Sequence, residues 1–138
     1  MVLSQGTLEF CTSPKSFLDI TKEVQNFVSE SNIQDGVCNL FIKHTSTSLV
    51  IQENYDPSVR KDFETIFSKL APEDFPYVHN MEGKDDMPAH IRSAFTSTSD
   101  TIPVVNVKLS LGTLQGIYIW EHRDQTHNRK VMVSMVGE

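Results

Sequence analysis

Five histidines punctuate the chain, and four of them keep company that can do chemistry. His44 opens the run His-Thr-Ser-Thr-Ser-Leu, which places one imidazole and four hydroxyls on six consecutive residues. His79 precedes an acidic segment, His90 falls in the first turn of a short helical pattern, and His122 is flanked by Glu121 and Arg123. Neutral imidazole nitrogens with carboxylates behind them are what zinc or another transition-metal ion requires. The same side chains equally suit separate surface or hydrogen-bonded positions, and nothing in their spacing makes them converge.

The segment Glu-Gly-Lys-Asp-Asp-Met-Pro-Ala-His sets Glu82, Asp85 and Asp86 immediately before a helix start. Carboxylates there cap a helix and offset its dipole; they also bind a hard cation such as magnesium or act as acid and base groups. Arg123 beside His122 suits either a two-bond grip on an anion or a surface ion pair. Ser46 and Ser48 lack the Gly-x-Ser-x-Gly elbow of a serine nucleophile. Gly112 and Gly116 interrupt an apolar strand, but the glycine-rich pattern ending in Lys-Ser or Lys-Thr that cradles phosphate is absent.

These residues need elements to hold them. Thr7–Thr12 alternates as a strand that Ser13-Pro14 ends, and Ile20, Val24, Phe27 and Val28 paint one face of a helix capped by Asp19 or Thr21. Val37–Lys43 and Leu49–Asn54 read as paired strands around the hydroxyl run. Asp56 and Pro57 start a helix with a buried stripe of Val59, Phe63, Ile66, Phe67 and Leu70. An ordered loop from Pro72 to Asp86 follows, then a short helix beginning near Pro88, then three β-type segments to the C-terminus. In the strand ending at His122, period-two alternation puts His122 with Trp120 and Tyr118, and Glu121 with Ile119 and Ile117 on the opposite face. Helices first and helix-free strands last predict an α+β domain with an antiparallel sheet or sandwich and about three helices.

The chain has 138 residues, enough for one domain with a core and no need of a second. A net charge of −6 works against unspecific nucleic-acid binding, which depends on Lys and Arg neutralising phosphates. The two cysteines, Cys11 and Cys38, fall in strand-like segments and are expected to be buried free thiols. No membrane-length apolar run and no secretory pattern appear, so a cytoplasmic location without membrane attachment is the expectation.

Taken in order, HTSTSL, ENYDPSVRKDFE, EGKDDMPAHI, GTLQGIYIWEHRD and the terminal GE resemble the YjbQ family, described as secondary thiamine-phosphate synthase enzymes, from about Leu8 to Glu138. DDMPAHI followed by the GT-x-QGIY-x-x-EHR segment is the most specific part. The resemblance implies one compact YjbQ-like domain over residues 1–138 with an antiparallel β-sandwich core, a homotrimer, and a pocket near the subunit boundaries. It places His44, Thr45, Ser46 and Ser48 against a polar or phosphorylated small molecule, with Asn54, Asp85, Gly112, Thr113, Gln115, Glu121 and Arg123 as further contacts. His122, His90, Glu82 and Asp86 become the candidate catalytic groups, and His79, His90 and His122 the candidate ligands of a divalent metal, magnesium or zinc.

The implied reaction joins hydroxymethylpyrimidine diphosphate to hydroxyethylthiazole phosphate and releases diphosphate. On this expectation Arg123 and the cation neutralise the departing group while His122 or His90 supplies a proton. The rivals are a metal- or metabolite-binding trimer without turnover and a metal-assisted hydrolase of a small phosphorylated or carbonyl compound. Two departures from the family pattern bear on the pocket: Leu114 stands where tryptophan is usual, and Gln125–Asn128 replaces a loop that commonly carries a glycine pair.

Overall fold

The computed structural model describes every residue from Met1 to Glu138. The elements run β1 (Val2–Thr12), β2 (Phe17–Asp19), α1 (Thr21–Glu30), β3 (Gly36–Ile42), β4 (Thr47–Glu53), α2 (Ser58–Leu70), α3 (Asp86–Phe95), β5 (Ser99–Val105), β6 (Lys108–Leu109), β7 (Gln115–Glu121) and β8 (His127–Gly137). They form two antiparallel sheets, one of five strands in the order β1-β8-β3-β5-β6 and one of three in the order β2-β7-β4.

Alternation builds the core. Cys38, Leu40 and Ile42 on β3 and Val131, Val133 and Met135 on β8 turn inward, where they meet Ile117 and Ile119 of β7 and Ile20, Val24 and Val28 beside and along α1. β7 is buried on both faces, as its nearly unbroken apolar run demands. Ile117 and Ile119 face the five-stranded sheet, while Trp120 on the other side stacks with Phe17 and meets Phe63 and Phe67 of α2. The molecule is therefore layered as five-stranded sheet, three-stranded sheet and the α2–α3 side, with His122 and Glu121 leaving the end of β7 toward different layers.

Several boundaries differ from the sequence reading. β1 starts at Val2, five residues earlier than expected, because its pairing with β8 runs unbroken to Gly137. Phe17–Asp19 is a strand, and the helix begins after it, with Asp19 Oδ1 accepting from the Thr21 amide at 2.9 Å. β4 takes in Thr47 and Ser48, so the hydroxyl run is half loop and half strand. α3 begins at Asp86, two residues before Pro88. Asp56 accepts from the Ser58 amide at 2.9 Å, as a helix-start carboxylate should. The stripe of α2 is only partly covered: Phe63 and Phe67 lean on Trp120, but Ile66 and Leu70 are 50% and 56% exposed. Cys38 is a buried thiol, whereas Cys11, on the edge strand β1, is exposed, contrary to expectation. No helix is long and apolar enough to cross a membrane.

Candidate functional site

The site grows from the start of α3. Asp86, the first helical residue, is 1% exposed, and the helix N-terminus favours a carboxylate there. Its Oδ1 accepts from Arg123 Nη1 at 2.8 Å. Arg123 Nε donates to Asp85 Oδ2 at 2.8 Å, and Nη2 donates to the Glu82 carbonyl at 3.0 Å. Burial works against the Asp85 carboxylate, but Arg123 and the Asp124 amide outweigh it and hold its carboxyl below the usual range. Gly83 makes this wrap feasible, because its φ of 112° lies in the region that glycine enters freely. A Cβ at that position would lie 2.9 Å from Asp85 Oδ1.

Asp86 Oδ2 faces two imidazoles, His79 Nε2 at 2.7 Å and His90 Nε2 at 3.2 Å. His90 follows Asp86 by four residues, one helical turn, so both project from one face of α3. His90 Nδ1 lies 2.8 Å from the Thr45 carbonyl oxygen. A carbonyl can only accept, so Nδ1 carries a proton, and Nε2 is the nitrogen that faces Asp86 and would hold a metal ion. The three donor atoms lie within 4.8 Å of one another. A cation with bonds of about 2 Å closes that spread by small side-chain rotations. Two imidazoles and one carboxylate suit zinc or a similar transition ion better than magnesium, which prefers oxygen. Backbone carbonyl and arginine bonds behind the donors are the support such ligands normally have. The His79 and His90 side chains are 50% and 31% exposed, which leaves one side of the cluster open. Of the three donors, only His79 lines the neighbouring cavity of about 400 Å³, with Phe75, Tyr77, Asn80, Lys84 and Met87 among others, whereas His90 lines another of about 330 Å³ with His44, Thr45 and Ser93.

His122, expected as metal ligand and proton donor, stands apart from this cluster. It is 1% exposed, lies against the Trp120 ring, and its Nε2 is 2.8 Å from Ser48 Oγ. Burial, and then the nearby charges of Arg92 and Arg129, push its pKa down to about 3, so it stays neutral. Glu121, expected as a ligand contact, points the opposite way into the sandwich, where Arg129 Nε donates to its Oε1 at 2.7 Å and Thr12 Oγ1 at 2.5 Å. Burial raises this carboxyl, but the bonds from Arg129, Thr12 and the Arg123 amide prevail and hold it below the usual range. No bulge brings Glu121 and His122 to one side.

The hydroxyl run divides accordingly. Ser48 is bonded internally, Ser46 Oγ accepts from Arg129 Nη2 at 3.1 Å, and Thr47 Oγ1 donates to the Trp120 carbonyl at 2.8 Å. Ser48 is fully buried, whereas Ser46 is half-buried and only accepts. His44 Nε2 accepts from the Lys130 amide at 2.8 Å, so this ring pins the run to β8. Burial, then Arg129, lowers its pKa. What the run contributes to the cluster is the Thr45 carbonyl. For Glu82 too, it is the carbonyl that joins, since the side chain is exposed.

Asn54, Gly112, Thr113 and Gln115 gather at the other end of β7. The Gly112 amide donates to Gln115 Oε1 at 2.7 Å, and the Asn54 amide donates to the Leu114 carbonyl at 2.8 Å. β7 spans seven residues. At the rise of an extended strand its two ends are about 20 Å apart, so this turn and Arg123, which follows the far end, cannot share a small ligand within one chain. Leu114, where the family pattern carries tryptophan, is 48% exposed on the same turn. Two residues that sequence reasoning passes over matter more. Arg129 sits at an inward position of β8, in register with Val131, Val133 and Met135, and a charge in that alternation is the available signal. Thr96, just after α3, carries no such mark, although its Oγ1 lies 2.6 Å from Ser48 Oγ.

The family model for UPF0047 protein YjbQ-like matches residues 6–138. A UPF0047 protein of Synechocystis is 49% identical over 135 residues, covering 97% of this chain and 92% of the relative. The UPF0047 protein YjbQ of Salmonella typhimurium is 40% identical, covering 97% and 98%. A crystal structure of a YjbQ/UPF0047 protein from Clostridium acetobutylicum superposes with a TM-score of 0.87 at 37% identity, covering 94% of this chain and 98% of that one. A YjbQ-like protein of Sulfolobus solfataricus, at 24% identity and the same TM-score, has the same fold. The chain belongs to the YjbQ/UPF0047 family.

Proposed function

We propose that this protein is a metal-dependent enzyme that holds a divalent transition-metal ion on His79, Asp86 and His90 and acts there on a small phosphorylated compound. The observation that carries the reading is the convergence of these three donors on a half-open site with supported ligands. A structural zinc site is normally closed by four protein ligands, and this cluster has three. A bound cation supplies positive charge for phosphate oxygens that gain negative charge as they depart.

Thiamine phosphate formation is the specific reaction of this reading. The bond from the pyrimidine methylene carbon to the diphosphate oxygen breaks, and the thiazole nitrogen makes the new carbon–nitrogen bond. No proton transfer is central to that exchange, which agrees with a His122 locked in its neutral form. Three of the five Arg123 N–H donors go to Asp85, Asp86 and the Glu82 carbonyl, so its part in this reading is to orient Asp86. Lys84 and Asn80, in the adjoining cavity, are the donors placed to meet phosphate oxygens, and Phe75, Tyr77 and Met87 offer an apolar wall for a ring.

The assembly in this reading is a homotrimer. Ile66 and Leu70 of α2 and Phe95 of α3 are at least half exposed and offer apolar surface to a second copy. Light scattering on the purified protein should give three chains per particle. The reaction is tested by following thiamine phosphate formation from both phosphorylated precursors with zinc or magnesium, comparing wild type with Asp86→Asn. Activity that disappears in the folded variant supports the reading. Equal rates in both, or none in either, remove the synthase chemistry and leave metal-assisted hydrolysis as the next reaction to assay.

A further inference from the structure

We infer that His122 is a positioning residue for the metal centre, which with Ser48 and Thr96 fixes the C-terminal end of α3 while its neighbour Arg123 fixes the N-terminal end. The inference rests on the metal reading of His79, Asp86 and His90.

α3 supplies two of the three donors, so their placement depends on where this ten-residue helix lies against the sheet. At the usual helical rise its two ends are about 15 Å apart, and each needs its own anchor. At its start, Arg123 holds Asp85 and Asp86. At its end, Thr96 Oγ1 lies 2.6 Å from Ser48 Oγ, and Ser48 Oγ lies 2.8 Å from His122 Nε2. Thr96 Oγ1 also donates to the Arg92 carbonyl at 2.9 Å, so Ser48 bridges Thr96 and the His122 imidazole, whose tautomer sets the direction of their bond. Between the two ends, Ser93 Oγ donates to the Thr47 carbonyl at 3.0 Å, and the Arg92 guanidinium lies 5.8 Å from the Trp120 ring centre. Adjacent residues at the exit of β7 thus tie down both ends of the helix that carries Asp86 and His90.

Packing does not account for an imidazole at this position. His122 Nδ1 is buried without a partner, an unfavourable state that an aliphatic side chain would avoid. The bond that an aliphatic chain cannot make is the one to Ser48. Ser48 itself is 0% exposed, so the serine–imidazole pair meets no substrate and acts through α3.

The test is a cobalt(II) titration of the full chain, read by the d–d absorption bands that report coordination geometry. The variants are Ser48→Ala, His122→Leu and His122→Gln, with Val133→Ala as a destabilised control in the other sheet. Ser48→Ala and His122→Leu should shift the bands and weaken cobalt binding by about 10–100-fold, the range usual for residues that support metal ligands. His122→Gln, whose side-chain amide can both donate to and accept from Ser48, should restore the wild-type spectrum. Val133→Ala should melt earlier with an unchanged spectrum. Wild-type bands and affinity in both Ser48→Ala and His122→Leu overturn the inference alone. Absence of cobalt bands in the wild type overturns the metal reading, and this inference with it. Should His122→Leu fail to fold, Ser48→Ala decides.

Discussion

Arg123 Nη1 and Asp86 Oδ1 lie 2.8 Å apart, and the other oxygen of the same carboxylate faces His79 and His90. One buried carboxylate therefore joins a charged strut to two imidazoles. The strut fixes the plane of the carboxylate, and that plane decides which lone pair points at the histidines. Arg123 consequently belongs to the support of the site.

Substitution of the strut should loosen metal binding without removing a ligand. Arg123→Gln loses the two-sided hold on Asp85 and Asp86, and its zinc affinity by calorimetry should fall about 10–100-fold. Asp86→Asn, which alters a ligand directly, should cost more. Equal affinity in Arg123→Gln and wild type would show that Asp86 is held without it.

The Glu121–Arg129 pair predicts a different behaviour, in stability. Both side chains are almost fully buried, and Arg129 Nη2 and Nε contact the two oxygens of Glu121 at 2.5 and 2.7 Å. Removing one partner strands the other charge, so Arg129→Met should lower unfolding free energy in urea by about 3–5 kcal/mol. Replacing both, as Glu121→Leu with Arg129→Met, should recover most of that loss, because no charge is then left buried. A double variant no better than the single would refute the stranded-charge account.

The legible parts of this protein are those with a period. Alternation in β3, β7 and β8 and the helical stripe of α1 disclose an antiparallel α+β sandwich, and period-two reasoning alone puts His122 and Glu121 on opposite faces. The candidate metal cluster is half legible: His79 and His90 stand out as candidate ligands beside a motif carboxylate, but His122 joins them only because its neighbours in sequence suggest a site. Its actual neighbour, Ser48, is 74 positions away across the β4–β7 pairing, a distance that local pattern cannot cross. The Thr45 carbonyl is invisible for another reason, since every residue has a carbonyl and only the fold selects one. Asn54 and Gln115 share a motif set with Arg123, and the length of β7 separates them.

Acid should destabilise the fold in a definite window. His122 has its pKa lowered to about 3 in the folded chain, and His44 is also lowered, so both bind protons more readily when unfolded. For a lowered histidine the stability is complete above the unfolded value near 6.5 and is lost as pH falls below it toward the folded value. Between pH 7.5 and 5, His122 alone should account for a loss of about 2 kcal/mol. Urea unfolding at the two pH values measures it, and His122→Gln should show the smaller change. A variant with the wild-type pH slope would mean that this imidazole titrates normally in the folded protein.

The turn at the far end of β7 provides the negative control for the proposed metal site. The Gln115 side chain bonds only within its own turn, to the Gly112 amide. By strand rise, about 20 Å separates it from Glu121 at the other end of β7, and the arginine behind Asp86 follows that end. Electrostatic influence over that distance is screened in ordinary salt, where the Debye length is about 8–10 Å. Gln115→Ala should therefore bind zinc within about twofold of wild type, since nothing in one chain links the turn to the three donors. A ten-fold loss would mean that the turn reaches the metal centre of a second copy, and the site would then have to be described across two chains.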